Sequence, residues 1–157
     1  MPQRYPFERI RHFYIFTYKM MMVEYNLHFQ GSISDENRSH MPEYCGVYLV
    51  YRGIWSEKDK LFYCHEIIYI GKADNIKQRH INHERRNDFI AACRPGEIVF
   101  YSYAEVPATS VDSVEAALIY HTQPRLNDKG KDSFPYGKTH IVSDGACALL
   151  DTDVVVE

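Results

Sequence analysis

Three segments rich in apolar and β-forming residues, each broken by turn or helix signals, constrain this chain more than any other feature. Val47 to Tyr51 is a short apolar run, Leu61 to Ile70 a second run rich in β-formers, and in Glu97 to Glu105 Ile98, Phe100 and Ala104 alternate with Val99, Tyr101 and Tyr103. The first two predict strands as runs of β-formers, and the third does so because period two puts successive side chains on opposite faces. The charged stretch from Arg52 to Lys60 then reads as the loop of a long-connected antiparallel hairpin.

Between the second and third strands, Asn75 followed by Gln78 is a helix-start signal, and Ile76, His80, His83, Ile90 and Cys93 can share one helical face until Pro95-Gly96. On such a helix Arg79 and His83, four residues apart, point the same way. A second helix is expected from a cap at Asp112, with Val114, Ala117, Leu118 and His121 along one side and Pro124 as its stop. Upstream, Val23, Tyr25, Leu27 and Phe29 alternate with polar residues as a half-buried strand would, before a polar turn from Ser32 to Pro42. Downstream, Lys138 to Leu149 predicts one more strand or hairpin around Gly145, and the acidic end, 151–157, is expected to fray. Residues 1–22, aromatic and basic without a clean period, read as a dispensable leader ahead of one domain spanning 23–150. The fold class that results is α/β (α+β): a small antiparallel three-stranded sheet flanked by helices, with extra N- and C-terminal strands.

With 157 residues, 45% of them hydrophobic and 25% charged, the chain is long enough to bury a core without staples. Its net charge of -3 argues against coating nucleic acid through bulk electrostatics. Positive charge is instead concentrated in 72–86, where Lys72, Lys77, Arg79, Arg85 and Arg86 face only Asp74 and Glu84. Cys45, Cys64, Cys93 and Cys147 are widely spaced with no zinc-knuckle pattern, which predicts free thiols. Neither a signal peptide nor a membrane span is legible near the start, so the expected location is cytoplasmic.

Gly46-Val47-Tyr48, Tyr69-Ile70-Gly71-Lys72 with Arg79 and His83 at helical spacing, a helical Glu115, and Pro124-Arg125-Leu126-Asn127 occur in that order. Taken together, over residues 44–127, these motifs resemble the GIY-YIG nuclease family. The resemblance implies a standalone, single-domain endonuclease that hydrolyses DNA phosphodiesters with one Mg²⁺ or Mn²⁺ ion. It implies that Tyr48 or Tyr69 activates water with help from Lys72 and His83, that Arg79 steadies charge on phosphorus, and that Glu115 binds the metal. Asn127 would fix the chain or reach the site through its amide. Lys77, Arg85 and Arg86 are expected either to be solvated or to meet the phosphate backbone. Three competing readings belong to the residues themselves. Glu115 also completes an Asp112-Ser113-Val114-Glu115 capping box, a strand tyrosine is usually packing, and His83 could be an interior histidine with a satisfied hydrogen bond. A DNA-binding module that keeps the fold without catalysis, or a protein-interaction domain, are the alternative functions. A phenol acting as base near neutral pH needs its pKa lowered from ~10 by some two to three units, and neighbouring cations are the expected source.

Overall fold

The computed structural model describes residues 22–157, so the expected leader, apart from Met22, lies outside the described residues. The chain forms a mixed α+β fold on one six-stranded sheet. Its strands are β1 (Val23–Ser34), β2 (Gly46–Ser56), β3 (Leu61–Ala73), β4 (Ile98–Glu105), β5 (Thr139–Gly145) and β6 (Asp153–Val156). The order across the sheet is β3-β2-β4-β1-β5-β6. The three central expected strands are present and antiparallel in the order β3-β2-β4, but they do not stand alone. β1 extends the sheet antiparallel to β4 and runs parallel to β5.

Two other expectations are corrected at this level. Arg52 to Lys60 is not a loop: β2 continues through Ser56 and pairs with β3 as far as Leu61, because Tyr51, Arg52 and Gly53 are buried and leave only a tight turn at 57–60. The acidic end does not fray either, since Val154 and Val156 bury their side chains and the strand pairs with β5. Alternation decides this, because a two-residue period anchors even a four-residue strand when one face meets the core.

β2 is buried at every position from Gly46 to Gly53, and the reason is that both faces of the sheet are covered. Val47, Leu49 and Tyr51 join a core with Phe100, Ala104, Val114, Ala117 and Leu118. Tyr48 and Val50 join the opposite core with Ile68, Ile76, Phe89, Val99 and Tyr101. The first face is covered by α3 (Val111–Thr122), the second by the short helices α1 (Ile76–Ile81) and α2 (Arg86–Ala91), with a 3₁₀ turn at Asp35–His40 beside them. The single helix expected across 76–93 is therefore two. Asn75 caps α1 as the sequence predicts, its Oδ1 accepting from Gln78 N–H at 3.0 Å. The break follows because the His83 ring takes the Arg85 N–H at 3.1 Å, which removes that amide from any continuing helical ladder. α3 begins after Ser110 without a side-chain cap, so the expected capping box is absent and Glu115 is free of that role. It ends at Gln123, left-handed at φ 56° and bonded back to Ile119 O at 2.8 Å, just before Pro124. No described helix is long and apolar enough to cross a membrane, and the four cysteines carry free thiols.

Candidate active site

The two motif tyrosines lie on neighbouring strands, with Tyr48 opposite Gly71 and Tyr69 opposite Val50. The missing side chain at Gly71 lets the Tyr48 phenol lie across β3, since a Cβ built there would overlap its Oη and Cζ. The two phenol rings consequently stack at 6.3 Å with 27° between their planes. Their exposure separates them. Tyr48 is fully buried, at 0% exposure, whereas Tyr69 is half-buried and its hydroxyl has no hydrogen-bond partner among the described residues.

Arg79 in the last turn of α1 and His83 just beyond it both reach the Tyr48 oxygen, at 3.4 Å from Arg79 Nε and 2.8 Å from His83 Nε2. His83 Nδ1 accepts the Arg85 amide, so the neutral ring carries its proton on Nε2 and donates it to Tyr48. Burial, reinforced by the Arg79 charge, lowers the His83 pKa to about 4, and the ring is neutral at physiological pH. His83 is thus a satisfied interior histidine and part of the site at once. Burial pushes the Tyr48 phenol well above its ordinary value while the Arg79 hydrogen bond pulls it down. For Tyr69, too, burial raises the pKa, with Arg79 pulling against it and Glu115 adding to it. The expected depression of a phenol pKa by cations is therefore corrected: desolvation outweighs the guanidinium, and both tyrosines rest protonated.

Glu115, the fifth residue of α3, is a partly desolvated carboxylate, 20% exposed, with Lys72 Nζ 3.6 Å from its Oε2. Burial raises its pKa despite Lys72, and its charge is felt by Tyr48 and Tyr69. No group of three or more His, Cys, Asp or Glu among the described residues could hold a metal, so an ion at Glu115 would have at most one other such protein ligand and would take the rest from water and phosphate. That donor set fits Mg²⁺, which keeps most of its waters and takes few protein ligands.

Comparison with protein-family models, curated proteins and solved structures found no match. The functional reading accordingly stands on this geometry and on the motifs.

Asn127 is assigned by its contacts to the chain rather than to the chemistry. Its Oδ1 accepts from Ile70 N at 3.0 Å and its Nδ2 donates to Ile70 O at 2.9 Å, while Leu126 N bonds Ile68 O at 2.9 Å. The side-chain amide thereby imitates a neighbouring strand along the edge of β3 and holds the Tyr69-Ile70-Gly71 segment in place.

The expected phosphate contacts at Lys77, Arg85 and Arg86 are all occupied by protein partners. Lys77 bonds Glu43 at 2.9 Å, and Arg85 bonds Asp88 at 2.6 Å, Asp128 at 2.9 Å and Leu126 O at 3.1 Å. Arg86 grips Asp35 at 2.6 Å, a carboxylate only 12% exposed that also accepts the Tyr101 hydroxyl at 2.7 Å. Arg86 is a structural cation, its guanidinium committed to Asp35. The concentrated positive charge seen in the sequence is largely neutralised in space.

His80, to which sequence reasoning assigned no role, is 1% exposed with neither ring nitrogen bonded. It packs between Tyr48 and Tyr101, 4.4 Å from each ring centre, and buttresses the phenol that carries Arg79 and His83. Burial lowers its pKa to about 3, far below the unfolded value near 6.5. The folded state therefore refuses a proton that the unfolded state accepts between those pH values, and stability is lost as pH falls below about 6.5, by at most roughly 1.4 kcal/mol per pH unit from this residue. His80→Phe keeps the ring contact and removes two unpartnered polar atoms, so it should be at least as stable as wild type at pH 7.5. Its advantage in Tm should widen at pH 5.5, and a variant that melts lower at both pH values contradicts this account.

Proposed function

We propose that this protein is a divalent-metal-dependent endonuclease that hydrolyses DNA phosphodiester bonds on a GIY-YIG-type core. The observation that carries this reading is the convergence, from four separate elements, of two stacked phenols, a guanidinium and a lone carboxylate with its lysine. The antiparallel order β3-β2-β4, with α1 following β3 and α3 following β4, is the framework on which the motif residues meet and supports the same reading.

In the proposed reaction the tyrosinate form of Tyr69, the half-buried phenol of the pair, whose share grows with pH, takes the proton of the attacking water and becomes the neutral phenol. Tyr48 acts beneath it as a buried acceptor that holds His83 and Arg79 in register. Arg79 presents its planar fork to the non-bridging phosphate oxygens, where negative charge grows. Lys72, beside Glu115, supplies a second cation and pulls on the attacking oxygen. Glu115 would hold Mg²⁺ or Mn²⁺, whose Lewis acidity offsets charge on the leaving oxygen.

Incubating the protein with supercoiled DNA, linear DNA and RNA, with Mg²⁺ or chelator, tests the assignment. Nicking of DNA that requires the metal, and falls at least about 100-fold in Glu115→Ala, is expected. Retarded DNA mobility without cleavage would instead favour the catalytically inactive DNA-binding module, and neither effect would favour an interaction domain.

A further inference from the structure

The cations at this site differ in how firmly their counter-ions are held, and that difference separates structural pairs from displaceable ones. Arg86 is tied to Asp35, a carboxylate 12% exposed that also takes the Tyr101 hydroxyl. Arg79 is different. Both of its terminal nitrogens donate to Glu84, Nη1 to Oε2 at 2.8 Å and Nη2 to Oε1 at 2.9 Å, and the Glu84 side chain is 64% exposed. Lys72 is likewise bonded to Asp112, whose side chain is 63% exposed.

A two-pronged carboxylate on a guanidinium has the same in-plane geometry as two oxygens of a phosphate. Arg79 is oriented from behind by its Nε bond to Tyr48, and Glu84 takes one N–H of each terminal nitrogen, which covers the outward face of the fork. An exposed pair of this kind contributes little net free energy, because water competes for both partners. A desolvated pair such as Arg86 with Asp35 would cost far more to break.

We propose that Glu84, with Asp112 as its counterpart on Lys72, is a substrate-mimicking counter-ion that occupies the phosphate position on these cations and is displaced by phosphate esters. The proposal rests on the nuclease reading for the identity of the site and extends it to the regulation of ligand entry. Its consequence is selectivity for anions that deliver at least two oxygens to one guanidinium. Monatomic anions such as chloride offer no second oxygen and cannot match the carboxylate they would have to replace. The carboxylates also keep the exposed cations from collecting unrelated anions, which agrees with a patch that is basic in sequence yet paired in space.

Affinity for inorganic pyrophosphate, and separately for a fluorescent DNA duplex in chelator, should be measured for wild type, Glu84→Gln, Asp112→Asn and Glu57→Gln. Glu57 pairs with Lys60 in the β2–β3 turn and gives the same charge change at another exposed pair. Glu84→Gln and Asp112→Asn are each expected to bind both probes about two- to five-fold more tightly than Glu57→Gln, with the same Tm as wild type. Equal affinity in Glu84→Gln and Glu57→Gln, weaker binding in Glu84→Gln, or no pyrophosphate binding by any form overturns the proposal. Tighter pyrophosphate binding together with absence of DNA cleavage would instead retain the counter-ion and sink the nuclease reading.

Discussion

Replacing Tyr69 by phenylalanine is expected to lower the rate of phosphodiester cleavage by roughly 10²- to 10⁴-fold, the range supplied by a positioned general acid or base, with Tm unchanged. Its hydroxyl has no hydrogen-bond partner among the described residues, so its removal leaves no buried group unsatisfied. Tyr48→Phe should behave differently. It takes away the oxygen that accepts from both His83 and Arg79, so it should lower stability as well as rate, leaving an imidazole N–H and a guanidinium Nε without their shared acceptor. The pH profile adds an independent check. Burial raises the Tyr69 pKa, so the fraction ionised grows with pH throughout the neutral range. Single-turnover rates should climb from pH 7 to pH 9 without a plateau. Full turnover by Tyr69→Phe, or a plateau below pH 8 that the variant shares, would remove Tyr69 from the role of base.

The second large effect is expected at a residue with no side chain. Gly71→Ala places a methyl where the Tyr48 phenol lies, against Oη and Cζ, and the phenol is not the free end of a flexible chain. It is boxed in by His80, His83 and Tyr69. Either β3 moves away from β2 or the ring leaves its slot, and in both cases the oxygen that holds Arg79 and His83 moves. Overpacking of this sort costs about 1–3 kcal/mol, and misplacement of catalytic groups by about 1 Å can cost on the order of 100-fold in rate. Gly71→Ala should therefore melt lower than wild type and lose at least that factor in kcat, with a smaller change in KM. A variant that cleaves at the wild-type rate would show that the Tyr48 position is immaterial.

Much of the frame was legible in the sequence because β-forming runs and period-two alternation are local signals. Val47 to Tyr51 and Leu61 to Ile70 are strands because their own residues are β-formers, Ile98–Glu105 because its residues alternate, and Asn75 caps α1 because its own Oδ1 reaches Gln78 N. The helix break at 82–85 was illegible, since nothing in the apolar spacing of Ile76, His80 and Ile90 reports that the His83 ring will capture an amide two residues on. The persistence of β2 through Arg52 was hidden for a related reason. A charged residue reads as loop unless its partners are known, and Arg52 is buried between Glu66 and Glu97, each at 2.6 Å, which lie 14 and 45 residues away.

The sequence by itself determined the inventory: which strands alternate, which helix is capped, and which tyrosines, cations and acid stand ready in motif order. Only the tertiary structure decided how those groups are used. It buried Tyr48 and left Tyr69 partly open, turned Asn127 into an edge for β3, tied Arg86 to Asp35, and set Glu84 on the fork of Arg79. The physical reason is that desolvation and charge pairing depend on distances through space between residues remote along the chain, and no local pattern of residue types encodes those distances.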